Sequence, residues 1–337
     1  MSGTLIFGRT LSHISYIKSR FLTKECFNKC ATLKSVRYFS VTASKKMKLV
    51  QFSYNDKPGQ IRVGYVEGNG VVDLNKVDNA LPNNLLGVLK NGDLEKVKKI
   101  KSKNPTTVPL SNVKLEAPIT GQDKVLCIGL NYLDHCAEQK KTPPEVPMMF
   151  SKFASCVVGP NDSVKLKTDV TKKVDWEVEL VVVIGKEASC VKAADAFDYV
   201  VGYTVAQDIS ARDWQKDKNA GQFLLGKSMD TFCPIGPWIV TSDEIGDPQN
   251  LDIKCSINGE QKQSSNTCQL VHKIPDVIER LTSVMTLYPG DIILTGTPGG
   301  VGLYLDPPQF LKPGDVITST IQNIGTLETR VEKYTKQ

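Results

Sequence analysis

Apolar and polar positions along the chain follow two periods, and the change from one to the other marks out strands and a few short helices. From Met47, residues 48–52, 61–66 and 70–74 read as short strands, separated by Asn55-Asp56, Pro58-Gly59 and Gly68-Asn69. Leu85, Leu86, Val88 and Leu89 then lie on one side of a helix, and a lysine-rich stretch over 96–104 reads as solvated. Residues 124–129 form a buried apolar strand, and Asn131 is placed to cap a short helix from Tyr132. A second apolar run, 199–207, ends at Asp208. Residues 251–256 and 260–263 flank Asn258-Gly259, a type I′ hairpin signal. Pro275 opens a helix whose apolar stripe is Val277, Ile278, Leu281, Val284 and Met285. Residues 291–294 then run into the glycine-rich turn 295–302, which lacks the G-K-[ST] of a phosphate loop. Such a turn is either a plain tight loop or a set of backbone N–H groups offered to a carboxylate.

The stretch around which the rest is arranged is 175–185. Its second half, Leu180 to Ile184, is an unbroken apolar run that predicts a strand buried on both faces. Its first half places Asp175, Glu177 and Glu179 two apart, hence on one face of that strand. Carboxylates crowded on an apolar strand repel one another and resist burial, so they need a compensating cation. The pattern fits a divalent-metal site at Glu177 and Glu179; the alternative is a strand that leaves the core with a solvated edge.

Composition narrows the classes. The 337 residues are 40% apolar and 23% charged, as in a globular protein of one or two domains. No run approaches the ~20 apolar residues of a membrane-spanning helix. The net charge of +6 is uneven: residues 1–46 hold nine basic residues against Glu25, or +8, which leaves −2 for the remainder. A near-neutral body has no electrostatic footprint for nucleic acid. The basic segment is rich in Ser and Thr, with Leu5, Leu11, Ile14, Ile17 and Phe21 among apolar residues at mostly helical spacing. This composition, with Arg37-Tyr38-Phe39-Ser40 as a cleavage signal, predicts a mitochondrial transit peptide over 1–46 and residence in the matrix. The division expected after it is a small N-terminal domain over 47–118 and a catalytic domain over 119–337. Nine scattered cysteines without C-x-x-C spacing suit a reducing compartment, with Cys127 and Cys255 in the core.

Only three histidines are present. His13 lies in the basic segment and His272 precedes a helix, which leaves His135 as the acid–base candidate, three residues from Glu138 and on the same helix face.

Five elements in register carry a resemblance. They are Gly129-x-Asn131-Tyr132-x-x-His135, Glu177-x-Glu179, Asp208-x-x-x-Arg212-Asp213, Gly226-Lys227-Ser228 and Thr295-Gly296-Thr297-Pro298-x-Gly300-Val301-Gly302. Together they resemble the fumarylacetoacetate hydrolase superfamily over residues 120–335. The resemblance implies an α+β, β-rich roll of mixed sheets with a small N-terminal domain, assembled as a homodimer. It implies Mg²⁺, or alternatively Mn²⁺, at Glu177, Glu179 and Asp208, and a small 2-oxo acid as substrate. It implies catalytic roles for Lys227, His135 and Glu138, and substrate contacts from Arg212, Gln215 and Thr297. Leu130 stands where several relatives carry Arg. Resemblance to the mitochondrial branch implies an oxaloacetate tautomerase, which converts the enol to the keto form and so relieves inhibition of succinate dehydrogenase. The alternatives are an acylpyruvate hydrolase or oxaloacetate decarboxylase using the His135–Glu138 dyad and, more remotely, an inactive metal-binding structural protein.

Overall fold

The structure is a computed structural model that describes residues 47–336. The transit-peptide expectation over 1–46 therefore lies outside the described residues. The first strands are β1 (Lys48–Tyr54), β2 (Lys57–Glu67), β3 (Gly70–Asp73), β4 (Val108–Pro109) and β5 (Val113–Leu115), with helices α1 (Leu74–Val77), α2 (Leu85–Lys90) and α3 (Leu94–Lys101) between them. Next come β6 (Val125–Gly129), α4 (Leu133–Glu138), β7 (Met148–Lys152), β8 (Val157–Val158) and β9 (Val164–Leu166). They are followed by β10 (Val174–Asp175), β11 (Val178–Ile184), β12 (Val200–Gln207), β13 (Ser210–Ala211), α5 (Arg212–Lys216) and α6 (Leu224–Lys227). The chain ends with β14 (Cys233–Thr241), α7 (Ser242–Ile245), β15 (Asp252–Ile257), β16 (Glu260–Asn266), α8 (Ile274–Thr282), β17 (Ile292–Leu294), β18 (Val316–Ile321) and β19 (Gly325–Lys333).

These strands form the mixed α+β architecture that the sequence implies. A twelve-stranded sheet runs β4-β3-β2-β1-β14-β12-β11-β17-β6-β7, with β5 on β1 and β8 on β14. Most pairs are antiparallel, but β17 and β6 are parallel. A second sheet of five strands runs β16-β15-β18-β19-β9. Residues 47–118 join the large sheet directly, since β1 pairs with β14.

β11 lies in the middle of this sheet, and every residue in it is buried. Its alternate residues serve different cores. Val178, Leu180, Val182 and Ile184 pack with β15, β18, β19 and α8, whereas Val181 and Val183 pack with α2, α3 and β1. Burial on both faces explains why the run is continuously apolar rather than alternating. By contrast β18, the central strand of the second sheet, alternates strictly between buried and half-buried positions, as in a sheet with one covered face.

Three sequence readings are corrected. The acidic stretch is not one strand: β10 pairs with β13 in a separate ribbon, and the chain breaks before β11. Asn131 does not cap α4, whose N-cap is Tyr132. Its side chain instead bridges two loops, donating to the carbonyls of His272 (3.1 Å) and Thr295 (2.8 Å) and accepting from the His272 amide (2.8 Å). The stripe of α8 ends at Thr282, so Val284, read as core, is 75% exposed. One extra turn of apparent helical periodicity continued into a loop.

Leu180→Ala is expected to lower stability by about 2–5 kcal/mol, because the buried cavity it leaves between two sheets cannot collapse. Val284→Ala should stay within about 0.5 kcal/mol. Urea denaturation of both variants checks the packing assignment; equal effects would contradict it.

Candidate metal centre and active site

Glu177, Glu179 and Asp208 come together through strand register. Val178 of β11 pairs with Gln207 of β12, so the next antiparallel step sets Glu177 beside Asp208, whose N–H donates to the Glu177 carbonyl at 2.9 Å. Glu179 has the parity of Val181 and Val183, and it accepts the Gly296 N–H at 2.7 Å. One carboxylate oxygen from each of the three lies within 4.8 Å of the others, and all three residues are buried.

Three buried cations face these acids. Lys227, at the end of α6, reaches Glu177 Oε2 (2.7 Å) and Asp208 Oδ2 (2.6 Å). Lys152, at the end of β7, reaches Asp208 Oδ1 (2.7 Å). Arg212, at the start of α5, bridges Glu177 Oε1 (2.7 Å) and Asp175 Oδ2 (2.8 Å). Glu179 makes no ion pair among the described residues, so four carboxylates meet three cations.

The titration directions follow this imbalance. Burial pushes Glu179 well above the usual carboxylate range, and repulsion from Asp208 and Glu177 adds to it, against opposing contributions from Lys227 and the Gly296 amide. Burial works on Glu177 in the same sense, but Lys227 and Arg212 outweigh it and hold that carboxyl down at about 2. Lys227 is disfavoured as an ammonium by burial, yet Asp208 and Glu177 raise it above its ordinary value. Lys227 is therefore an ammonium, and Glu179 is the acid whose charge lacks a partner. A divalent cation among three carboxylates would supply that partner, and an all-oxygen donor set suits Mg²⁺ or Mn²⁺.

The dyad also assembles. His135 Nδ1 lies 2.5 Å from Glu138 Oε1, and Glu138 Oε2 accepts the Gly300 N–H at 2.8 Å. The glycine-rich turn does offer its backbone to carboxylates, but these are the protein's own. Besides Glu179 and Glu138, the turn binds Asp134 through Gly299 N (3.2 Å), and Asp175 through Gly302 N (2.7 Å) and Leu303 N (3.0 Å). Gly300 has φ of +100°, and a Cβ there would sit 2.0 Å from the Lys262 carbonyl, so this close crossing requires glycine.

A cavity of about 140 Å³ joins the two groups. Glu177, Glu179, Lys227, Arg212 and His135 line it, as do Gln215 and Thr297. Phe150 and Phe223 form an apolar side, with rings edge to face at 5.5 Å. Arg212 donates to Gln215 Oε1 at 3.0 Å. Thr297 is held between the Val178 carbonyl (3.0 Å) and the Gln263 amide (2.8 Å). Leu130, with φ of +53°, lines the cavity, and no guanidinium stands at that position.

Asp175 is the buried anchor for Arg212. Sequence reasoning missed Lys152, Gln139 and Tyr304. Lys152 carried one usable signal, a lone lysine closing an edge strand, and Gln139 carried another, its spacing of one helical turn from His135; Tyr304 had none, because its partner Gln139 is 165 residues away.

A family profile described as fumarylacetoacetate (FAA) hydrolase C-terminal matches residues 124–332. The chain is 46% identical over 298 residues to the oxaloacetate tautomerase fahd2, mitochondrial, of Xenopus laevis, covering 88% of this chain and 93% of that protein. It is 47% identical over 292 residues to the oxaloacetate tautomerase FAHD2A, mitochondrial, of Homo sapiens, covering 86% and 92%. Among solved structures, the fumarylacetoacetate hydrolase of Exiguobacterium antarcticum superposes with a TM-score of 0.74 at 34% identity, covering 86% of this chain and all of that one. The maleylpyruvate hydrolase of Sphingobium sp. SYK-6, in complex with manganese(II) and pyruvate, gives 0.71 at 31% identity with the same coverage. With a buried carboxylate triad, a paired lysine and a matching profile over most of its length, the chain belongs to the fumarylacetoacetate hydrolase family.

Proposed function

We propose that the protein is an oxaloacetate tautomerase of the mitochondrial matrix, which converts enol-oxaloacetate to the keto form. The observation that carries the 2-oxo-acid chemistry is Lys227, an ammonium within 2.7 Å of two carboxylates of the triad, on the wall of a cavity suited to a molecule of few heavy atoms, and the names of the curated relatives favour tautomerisation among the reactions such a site supports. The names of the curated relatives favour oxaloacetate over other 2-oxo acids.

Glu177, Glu179 and Asp208 would hold Mg²⁺, with Mn²⁺ as the alternative, and the bound ion supplies Lewis-acid polarisation of a 2-oxo acid. Lys227 donates hydrogen bonds to the substrate oxygen on which charge develops as the enol loses its proton. Arg212, clamped between Asp175 and Glu177, fixes the orientation of the latter carboxylate. Gln215 and Thr297 are placed on the cavity wall to contact the substrate. Phe150 and Phe223 exclude water from one side, so these charges act in a low dielectric. The reaction moves one proton from oxygen to carbon and consumes no water. We place it in a homodimer whose first 46 residues direct import, with residues 47–118 and 119–337 as its two parts.

A second reading, hydrolysis or decarboxylation of a related oxo acid, is favoured by the His135–Glu138 contact at 2.5 Å. A carboxylate-held imidazole is a general base for water.

Three measurements test these assignments. Glu177→Gln should weaken Mg²⁺ binding at least about tenfold in calorimetry and abolish tautomerase activity; unchanged affinity would remove Glu177 from the ligand set. Lys227→Ala should lower kcat for enol-oxaloacetate by about 10²–10³, and Glu138→Gln by much less. Rapid pyruvate release by the wild type that vanishes in Glu138→Gln would establish the second reading instead. The mature protein isolated from mitochondria should lack about its first 40 residues, and an N-terminal peptide still carrying Met1 would refute cleavage.

A further inference from the structure

The His135–Glu138 dyad is occupied at both ring nitrogens, and the second partner is Gln139. This residue closes α4, one turn after His135, and its Nε2 lies 2.7 Å from His135 Nε2. Tyr304 fixes which end of the amide faces the ring. Lys216 Nζ lies 3.4 Å from the Tyr304 hydroxyl, and an ammonium can only donate. The hydroxyl donates to Gln139 Oε1 at 3.1 Å, and the Glu138 carboxylate on His135 Nδ1 requires the same orientation, because it leaves Nε2 of the neutral ring as an acceptor. The Gln139 NH₂ group therefore faces His135. An amide nitrogen can only donate, so His135 Nε2 accepts. The ring proton then sits on Nδ1 and goes to Glu138 Oε1. The lone pair that would take a proton from water is engaged.

The geometry points to Gln139 as a positioning residue that latches His135 and confines this chain to proton-transfer isomerisation. The inference rests on the tautomerase reading above. Hydrolysis of a 2,4-dioxo acid consumes one water. A base takes a proton as the water oxygen bonds to the C4 carbonyl; the C3–C4 bond then breaks, its electron pair goes to C3, and the proton is delivered there. With Nε2 capped, His135 cannot take that first proton. Tautomerisation has no such step and proceeds with the latch closed. The device costs little: one turn of helix spacing and a tyrosine from the segment following the glycine-rich turn.

The test uses Gln139→Met, which keeps the side-chain length and removes both hydrogen bonds, and Tyr304→Phe, which leaves Gln139 present but unanchored. Both are assayed in the full-length protein with Mg²⁺, following pyruvate release from acetylpyruvate and loss of enol-oxaloacetate. The ratio of hydrolysis to tautomerisation should rise at least tenfold in Gln139→Met and by a smaller factor in Tyr304→Phe. Histidine ring ¹⁵N spectra should show Nδ1–H and an unprotonated Nε2 for His135 in the wild type, and in Gln139→Met the Nε2 signal should shift as its hydrogen bond is lost while Nδ1–H stays on Glu138. An unchanged ratio in both variants, or ring signals that do not respond to Gln139→Met, would overturn the latch. If Gln139→Met fails to fold, Tyr304→Phe decides alone, and no rise there overturns it. A wild type inert toward enol-oxaloacetate, with hydrolysis gained in Gln139→Met, would remove the tautomerase reading and leave the latch standing.

Discussion

Charge compensation in the buried floor of the cavity is the constraint on which the rest of the molecule depends. Asp175, Glu177, Glu179 and Asp208 are all buried, and only Lys152, Arg212 and Lys227 answer them among the described residues. Removing a charge from water costs several kcal/mol even after relaxation, so each of these groups persists only because its neighbours hold it. The cations come from three separate elements, the ends of β7 and α6 and the start of α5. The sheet must bring those ends to one place before any of the acids can ionise there. Fold and chemistry are coupled at this point: a shift of β12 against β11 by one residue would turn Asp208 away from Glu177 and leave the buried Lys152 without its acid.

The glycine-rich turn is the second organising element. Its N–H groups are shared among Glu179, Glu138, Asp134 and Asp175. Backbone amides stabilise carboxylates without adding a titratable charge, and they hold side chains more rigidly than a flexible lysine can. One turn thereby couples the triad to the dyad: Gly296 holds the former and Gly300 the latter. Glycine is needed because the backbone crosses so near the Lys262 carbonyl at Gly300 that no side chain fits.

The proposed latch would let one scaffold separate related reactions. The carboxylate triad and Lys227 serve any chemistry that passes charge onto a 2-oxo group, so they do not discriminate. With Gln139 as that latch, discrimination falls to the groups that would handle water, which are His135 and the amide that engages its second nitrogen. Gln139 and Tyr304 both line the cavity away from the charged floor, Gln139 half-buried and Tyr304 exposed.

Much of this was legible in the sequence because it is local. The continuous apolar run of β11, the two-residue spacing of Glu177 and Glu179, and the His135–Glu138 spacing on α4 follow from strand and helix periods alone, and the order of the motifs identified the family. The partner of each group was not legible. Asp175 appeared to share a face with the glutamates, yet the chain breaks after β10 and sends it to Arg212. Asn131 looked like a cap and is a bridge between loops 140 or more residues away. Lys152 is separated from Asp208 by 56 residues, and Tyr304 from Gln139 by 165. Period and composition determine which side chains are buried and which way they point from their own element. Which charge meets which, and which amide closes on which imidazole, is decided by strand register and loop crossing, because hydrogen bonds and ion pairs act over about 3 Å between atoms that only the tertiary structure brings together.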